Sequence, residues 1–247
     1  NKELRDAWWQ KNLYDNPDLK DLPCSLPIVT NGLSGALSVA ADLFLNPQDH
    51  VLLPNMNWDN YLLNFEDRCA AEIKYYNYFK DDGLDLQAFE NILANYKKDD
   101  KIFVVLNFPN NPSGYTATEV EADFLAQKLI EAAERGVYVV TLIDDAYYGL
   151  FYSKEAMKQS IFTKLAAKHE RLMAIKADAA TKEVYVWGLR VGFISFSVGG
   201  VEENSPLYKV LEEKAAGIIR STISNCSILS QKIAWKALQD PNFYTQR

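Results

Sequence analysis

The feature that most constrains the fold of this chain is a regular alternation of short apolar runs with helical patterns. Six runs of strand length are separated by amphipathic stretches that end in Asn, Gly or charged residues. Strands that alternate with helices predict an α/β fold, in which a mostly parallel or mixed sheet is sandwiched between helices. The predicted strands are 51–53, 73–79, 102–106, 137–143, 172–175 and 191–196, and the predicted helices are 34–45, 86–96, 118–135 and 161–169, with a helical pattern from 206 onward.

Composition favours small-molecule chemistry over nucleic-acid or membrane binding. The net charge is −7, whereas nucleic acids and acidic membranes attract clustered Lys and Arg. No apolar run is long enough to span a bilayer, and no signal peptide is indicated. The three cysteines are widely spaced without a CxxC pair, so neither a disulfide framework nor a metal site is indicated, and a cytoplasmic location is expected.

No repeat, low-complexity tract or linker divides the chain, so residues 1–247 are predicted to form one domain. The 48% hydrophobic content of its 247 residues supports a large core. The sequence begins at Asn1 without a methionine and stops at Arg247 directly after an amphipathic stretch. We therefore expect it to be a fragment of a longer protein.

Lys182 and Arg190 give the sharpest local signal. Arg190 follows Lys182 by eight residues and directly precedes the strand predicted at 191–196. A partly desolvated lysine amine can form a Schiff base, and an arginine binds phosphate through two parallel hydrogen bonds. The alternative is that both are exposed residues beside a strand, which is the common case for Lys and Arg.

Asp144 and Tyr147 follow the strongly apolar strand predicted at 137–143. Ligands of open α/β sheets gather at the carboxyl ends of strands, where this acid and this phenol emerge. A carboxylate there can hold the N–H of a pyridinium ring, and a tyrosine hydroxyl can bond a phenolate oxygen. An acidic turn of this kind is also typical of a metal ligand or a helix cap.

Asn111 lies in a turn that follows the strand predicted at 102–106. Pro109 and Pro112 flank Asn110 and Asn111 and restrict the backbone, which suits a side-chain amide aimed at a ligand oxygen. Asn-Pro and Ser-Gly pairs also form ordinary turns.

Two further candidates are an anion-binding site at a helix start and an aromatic residue that can contact a ligand. Gly32, Leu33 and Ser34 precede a helix rich in Ala, Val and Leu, and free N–H groups at a helix start bind phosphate, although a plain Ser34 cap is the alternative. Trp58 follows the strand at 51–53 among polar residues, so it can stack on a flat ring or pack half-buried on a helix.

Together these residues resemble the cofactor site of the class I/II aminotransferases of fold type I, which use pyridoxal 5′-phosphate (PLP). The similarity runs from about residue 30 to about residue 240, and the Asn-Asn-Pro-Ser-Gly turn, the Asp-x-x-Tyr pair and the Lys-x7-Arg pair are its most specific parts. Residues 219–225, which include Arg220, also resemble the aspartate and aromatic aminotransferase branch. The matching residues are Gly32, Leu33, Ser34, Trp58, Asn111, Asp144, Tyr147, Lys182 and Arg190.

The resemblance implies a PLP-transferase large domain and a role for each residue. Lys182 would carry PLP as a Schiff base and move the substrate proton, and Asp144 would keep the pyridine nitrogen protonated. Tyr147 and Asn111 would bond the phenolate oxygen, and Trp58 would stack on the ring. The phosphate would lie on the amides around Leu33 and on Ser34 and Arg190. An amino acid and a 2-oxo acid are the implied substrates, and a homodimer is the implied assembly, in which Arg220 would bind the distal carboxylate of a dicarboxylic substrate.

The sequence also departs from the family. Ala179 stands where many relatives have a serine that contacts the phosphate, and the charge of the preceding Asp178 would repel that anion. Tyr185 is large at a usually small position, and Cys226 replaces a common proline. The amino-terminal arm and the carboxyl-terminal small domain of relatives are expected to be missing.

Three functions remain open at this stage. The first is transamination of an amino acid, and the second is a PLP-dependent lyase or a synthase of the aminocyclopropane-carboxylate type that uses the same cofactor contacts. The third is a non-catalytic relative that keeps the fold. Neither the amino-acid substrate nor the activity of the chain by itself follows from these residues.

Overall fold

The structure is a computed structural model that describes residues 2–246, and it consists of helices packed on both faces of one large sheet. The helices are α1 (Lys2–Asp15), α2 (Gly32–Phe44), α3 (Asn60–Leu62), α4 (Leu86–Ala94), α5 (Glu119–Glu134), α6 (Phe162–Leu165), α7 (Ala180–Glu183), α8 (Pro206–Thr222), α9 (Ile228–Leu238) and α10 (Phe243–Gln246). The strands are β1 (Ile28–Asn31), β2 (His50–Pro54), β3 (Glu72–Tyr76), β4 (Phe79–Lys80), β5 (Gly83–Leu84), β6 (Lys101–Asn107), β7 (Tyr138–Asp144), β8 (Leu172–Ala179) and β9 (Val191–Val198).

The large sheet has seven strands in the order β1-β9-β8-β7-β6-β2-β3. Strand β9 is antiparallel to both of its neighbours, and the other pairs are parallel. Within the described residues, β9 therefore runs against the other strands of this sheet. The predicted α/β fold with a mostly parallel, mixed sheet is confirmed.

Alternate residues of each central strand enter two different cores. In β6, Val104 packs with Leu129 of α5 and Phe162 of α6 on one face. Phe103 and Val105 face the other side, where helices α2 and α8 cover the sheet. Because both faces are covered, the central strands are mostly apolar, and the charged Lys176 and Asp178 of β8 are buried as an ion pair.

The strand directions bring several chain segments to one edge of the sheet. Strands β1, β2, β6, β7 and β8 end at this edge, and β9 begins there. The register pairs Asn107 with Asp144, the last residues of β6 and β7, and pairs Ala179 at the end of β8 with Gly192 near the start of β9. Every candidate site residue that follows a strand is thereby delivered to this edge.

The structure corrects several predicted elements. The end predicted for the strand at 73–79 is wrong, because the chain leaves the sheet after Tyr76. The Asn77 side chain donates to the Phe79 carbonyl oxygen over 2.6 Å. Residues 79–84 instead form the β4–β5 hairpin. The helix predicted at 161–169 is limited to α6, and Ala167 adopts a left-handed φ of 57° shortly after it.

Strand β1 and helix α1 are among the elements that were not predicted. Strand β1 has only four residues and ends in Thr-Asn, which gives little apolar pattern. Helix α1 buries Lys11 and Asn12 together with Leu4 and Trp8, so its buried face is not uniformly apolar. No helix in residues 2–246 combines the length and the apolar character that crossing a membrane requires.

Candidate active site

Most of the predicted site residues converge on one cavity at the edge of the sheet where β1, β2, β6, β7 and β8 end. The cavity has a volume of about 140 Å³. A larger open groove near His50 and Tyr96 contains none of them. The residues of the sequence prediction that line the cavity are Leu33, Ser34, Trp58, Asn111, Asp144, Tyr147, Lys182 and Arg190.

Asp144 is the last residue of β7 and is only 1% exposed. One carboxylate oxygen accepts a hydrogen bond from the Ala146 N–H (3.0 Å), and the other accepts from the Tyr61 hydroxyl (2.6 Å). Burial raises the pKa of Asp144 to about 6, although these two hydrogen bonds and the nearby Lys182 ammonium act in the opposite direction. The side chain is thus a buried acid whose charged form gains from a cationic partner.

Tyr61 is a site residue that the sequence analysis missed. It is 1% exposed, its ring stacks on Phe65 with centroids 5.9 Å apart, and it meets Trp58 edge-on at 5.8 Å. Burial and the adjacent Asp144 carboxylate raise the pKa of Tyr61 well above its ordinary value, so the phenol stays a neutral donor. Its place three residues after Trp58 is the only sequence signal, and a tyrosine there is equally typical of a core.

Asn107 holds the asparagine turn against β7. Its side-chain nitrogen donates to the Asp144 carbonyl oxygen over 2.9 Å, and its side-chain oxygen accepts from the Asn111 N–H over 2.7 Å. The Asn110 side-chain oxygen accepts from both the N–H and the hydroxyl of Ser113. The turn is therefore fixed by hydrogen bonds, and Asn111 lines the cavity.

Lys182 lies in the four-residue helix α7, directly after β8. Its ammonium nitrogen is 4.8 Å from the ring centroid of Tyr147, which places the amine over an aromatic face. Thr181 also lines the cavity, and its buried hydroxyl has no hydrogen-bond partner among the described residues. A buried hydroxyl without a partner at a cavity wall fits a ligand that supplies the missing bond.

The start of α2 and Arg190 form a cationic cradle. Gly32 has φ +72°, and a Cβ at this position would lie 2.3 Å from an Arg190 guanidinium nitrogen. The cap residue Asn31 makes no side-chain hydrogen bond to the first turn, so the N–H groups around Leu33 and Ser34 stay open to an anion. Gly32 is therefore required where the backbone meets the arginine.

These donors fit PLP. Arg190, Ser34 and the free Thr181 hydroxyl suit a phosphate, and the buried Asp144 carboxylate suits a pyridinium N–H. The Trp58 indole supplies an aromatic face, and Lys182 supplies an amine in the same cavity. The Thr181 hydroxyl also offers a phosphate donor two residues after Ala179, where the sequence suggested a lost contact.

Arg220 lies away from this cavity. It occupies the last turn of α8, is exposed, and donates to the Ser224 hydroxyl oxygen over 2.6 Å. The neighbouring Ile218 and Ile219 are partly buried, whereas the Arg220 side chain is exposed.

The structure also shows the burial and contacts of the other residues that depart from the family pattern. Asp178 is buried 2.9 Å from the Lys176 ammonium, which it shares with the Asp145 carboxylate. Tyr185 is 76% exposed with a left-handed φ of 53°, and the buried Cys226 thiol contacts the Val29 carbonyl oxygen at 3.5 Å. None of these three side chains lines the cavity.

Residues 1–247 match the family model described as aminotransferase class I and II. The chain belongs to this family. Its members use PLP, so the cofactor expected from the sequence is confirmed for the family. The family resemblance stated from the sequence is confirmed as well.

Individual relatives agree with this assignment. The cytoplasmic aspartate aminotransferase of Saccharomyces cerevisiae is 26% identical over 225 residues, which cover 86% of this chain and 50% of the yeast protein. An aspartate aminotransferase of Pyrococcus horikoshii is 24% identical over 241 residues, or 96% of this chain and 56% of that protein. The chain thus spans about half the length of the curated relatives it matches.

The fold is also found among solved structures. The crystal structure of an aminotransferase from Anaerococcus prevotii superposes with a TM-score of 0.85 at 21% identity, covering 99% of this chain and 58% of that one. At this identity the match shows the fold alone.

The raised pKa of Asp144 predicts how stability depends on pH. With a folded pKa of about 6 and an unfolded value near the usual 3.8, the folded cofactor-free protein holds the proton more tightly. This contribution is fully present below about pH 4 and is lost as pH rises through 6, a loss of about 3 kcal/mol. Urea unfolding of wild type and Asp144→Asn should give a difference in unfolding free energy that falls by about 2.4 kcal/mol between pH 4 and 7, because the rest of the contribution develops only below pH 4. If the difference in unfolding free energy between the two proteins does not change with pH, the raised pKa of Asp144 is contradicted.

Proposed function

We propose that the protein catalyses PLP-dependent transamination of an amino acid with a 2-oxo acid. The observation that carries this proposal is the convergence of one amine, one buried carboxylate and one guanidinium on a single cavity. Lys182, Asp144 and Arg190 reach that cavity from three different chain segments. Membership of the aminotransferase family supports the same reaction.

The reaction needs groups that bind the cofactor, hold its charge and move one proton. PLP supplies an electron sink for the electrons released at the substrate Cα. Lys182 would hold the cofactor through its amine, and once the substrate amine has taken its place, the freed Lys182 amine would remove the proton at the substrate Cα. Asp144 holds the proton on the pyridine nitrogen, and the hydrogen bond from Tyr61 fixes the direction of its carboxylate.

The remaining residues orient the ring and the phosphate. Trp58 would pack on the ring face, while Tyr147 and Asn111 would donate to the phenolate oxygen. The Ser34 and Thr181 hydroxyls, the amides around Leu33 and the Arg190 guanidinium bind the phosphate. A phosphate held at several points fixes the reactive carbon of the cofactor relative to the Lys182 amine.

Arg190→Ala is expected to weaken PLP binding without removing the chemistry. A charge-assisted contact of this kind contributes about 1.5–3 kcal/mol, which corresponds to roughly a 10- to 150-fold rise in Kd. Titration of the cofactor-free protein with PLP, followed by absorbance, measures the change. Arg190→Lys keeps the charge but not the planar fork, so its Kd for PLP should lie between those of wild type and Arg190→Ala. An unchanged Kd in Arg190→Ala would remove the arginine from the phosphate site.

The proposed function extends to the substrate, the assembly and the cellular location of the protein. We propose a dicarboxylic or an aromatic amino acid as substrate, a homodimer as the assembly, and the cytoplasm as the location. Arg220 is exposed at the end of α8, so it is available to a neighbouring subunit, and its planar fork matches a carboxylate. The relatives of yeast and Pyrococcus are both named as aspartate aminotransferases.

Arg220→Ala tests the dicarboxylate reading. If Arg220 binds the distal carboxylate, kcat/KM for aspartate and glutamate should fall about 10- to 150-fold, while values for alanine and aromatic amino acids should change little. Steady-state kinetics of the complete protein with both substrate groups measure this. An equal loss for all substrates would leave Arg220 with a structural role through Ser224.

A half-reaction separates transamination from the lyase and synthase alternatives. The complete protein loaded with PLP, given an amino acid and no oxo acid, should release the matching 2-oxo acid and convert the cofactor to its pyridoxamine form. The absorbance of the bound cofactor and the released oxo acid are measured together. Release of ammonia or of a cyclised product, with the cofactor left as PLP, would overturn the proposed reaction.

A further inference from the structure

Behind the candidate site, Glu183 directly follows Lys182 in the sequence and is buried. Its side chain is only 2% exposed and is ion-paired with the ammonium of Lys11 in α1. Lys11 is 1% exposed and also lies 3.1 Å from the Asp15 carboxylate. A lysine and two carboxylates have therefore been removed from water between α1 and the segment that carries Lys182.

Aromatic side chains enclose this ion pair. The Lys11 ammonium is 4.6 Å from the ring centroid of Trp8 and 5.7 Å from that of Tyr148. Trp8 stacks on Phe193 of β9 with centroids 4.1 Å apart. The position of Lys11 is thus fixed by α1 and by β9, which are elements of the scaffold.

The two adjacent tyrosines lie near different lysines. The Tyr147 ring faces the Lys182 amine at 4.8 Å, whereas Tyr148 contacts Lys11. Helix α7 has only four residues and carries Lys182 and Glu183 next to each other. So short a helix has little rigidity of its own, and an anchored Glu183 restricts the backbone from which Lys182 projects.

We propose that Lys11 is a positioning residue that fixes the direction of the Lys182 amine through its ion pair with Glu183. The proposal rests on the proposed function, because the direction of the amine matters for the attachment and orientation of PLP. Lys11 and Glu183 need not touch the cofactor, since neither lines the cavity.

The test uses three variants of the complete protein. Glu183→Gln keeps the shape of the side chain but removes its charge, and it leaves Lys11 paired with Asp15. Lys11→Arg keeps the cation. Leu4→Ala removes a fully buried contact of α1 without touching the ion pair, and it controls for loosening of the helix.

Glu183→Gln should raise the Kd for PLP about tenfold, near the lower end of what supporting residues behind metal-binding side chains contribute. It should also change the visible circular dichroism per bound cofactor, which reports cofactor orientation. In crystals of the cofactor-free variant, the Lys182 amine should leave its position 4.8 Å from the Tyr147 centroid. Lys11→Arg should resemble wild type, and Leu4→Ala should lower Tm with an unchanged dichroism per bound cofactor.

The proposal would be overturned if Glu183→Gln kept the wild-type affinity for PLP, the wild-type dichroism per bound cofactor and the wild-type position of the Lys182 amine. The changes expected of Glu183→Gln would also overturn it if they appeared in Leu4→Ala, because they would then follow from loss of stability alone. If wild type itself takes up no PLP, the proposed function fails instead. In that case the position of the Lys182 amine in cofactor-free crystals still decides the role of Lys11.

Discussion

Replacing Lys182 with alanine is expected to abolish covalent attachment of PLP and to lower kcat/KM for transamination by at least about 10⁴-fold. That loss is at the upper end of what one positioned proton-transfer group contributes, and here the same amine also attaches the cofactor. This amine lies over the face of the Tyr147 ring and acts electrostatically on Asp144, but it makes no ion pair or hydrogen bond among the described residues that would hold the fold together. The fold should therefore be retained, with Tm within about 4 °C of wild type.

The measurement combines steady-state kinetics of the complete protein with mass spectrometry of the protein after borohydride reduction, which shows whether PLP is covalently attached. Lys236→Ala is a matched control, because Lys236 is an exposed lysine on α9 far along the chain from the cavity residues. The control should behave as wild type in both measurements. Covalent PLP in Lys182→Ala, or turnover within tenfold of wild type, would show that another residue carries the cofactor.

Asp144→Asn is expected to keep PLP binding but to lower kcat by about 10³-fold, similar to the loss of one preorganised electrostatic contact in other enzymes. The amide is nearly the same shape and can still accept from the Tyr61 hydroxyl. It has no charge to hold the pyridine nitrogen protonated, so the ring becomes a poorer electron sink. Because Arg190, Ser34 and Thr181 are unchanged in this variant, affinity should fall much less than kcat.

A chemical control isolates the charge. A PLP analogue with a methylated ring nitrogen carries a permanent positive charge and needs no carboxylate to keep it. This analogue should restore part of the lost single-turnover rate in Asp144→Asn, and it should give no gain in wild type. Near-normal turnover of Asp144→Asn with ordinary PLP would refute the role of Asp144.

The candidate site was predicted more fully than the boundaries of the fold. Asp144, Asn111 and Lys182 could be predicted because each follows an apolar strand and belongs to a short motif. Parallel strands end at a common edge, so three motifs far apart in sequence become neighbours in space. The register that pairs Asn107 with Asp144 bears this out.

Single residues without a motif could not be predicted. Tyr61 and Thr181 look like ordinary core residues in the sequence, and only burial and hydrogen bonding distinguish them. Helix α1 was missed because it buries Lys11 and Asn12, which a pattern of apolar residues does not anticipate. Buried charge depends on partners that are distant in sequence, as Glu183 is from Lys11.

The central claim is that Lys182 carries PLP in the cavity at the edge of the sheet. Reduction of the PLP-loaded protein with borohydride, followed by peptide mapping, tests it most directly. We predict one pyridoxyl group per chain, located on Lys182, and the same result in Lys236→Ala. Label on Lys176, which is buried between Asp145 and Asp178, or label on no lysine at all, would contradict the account.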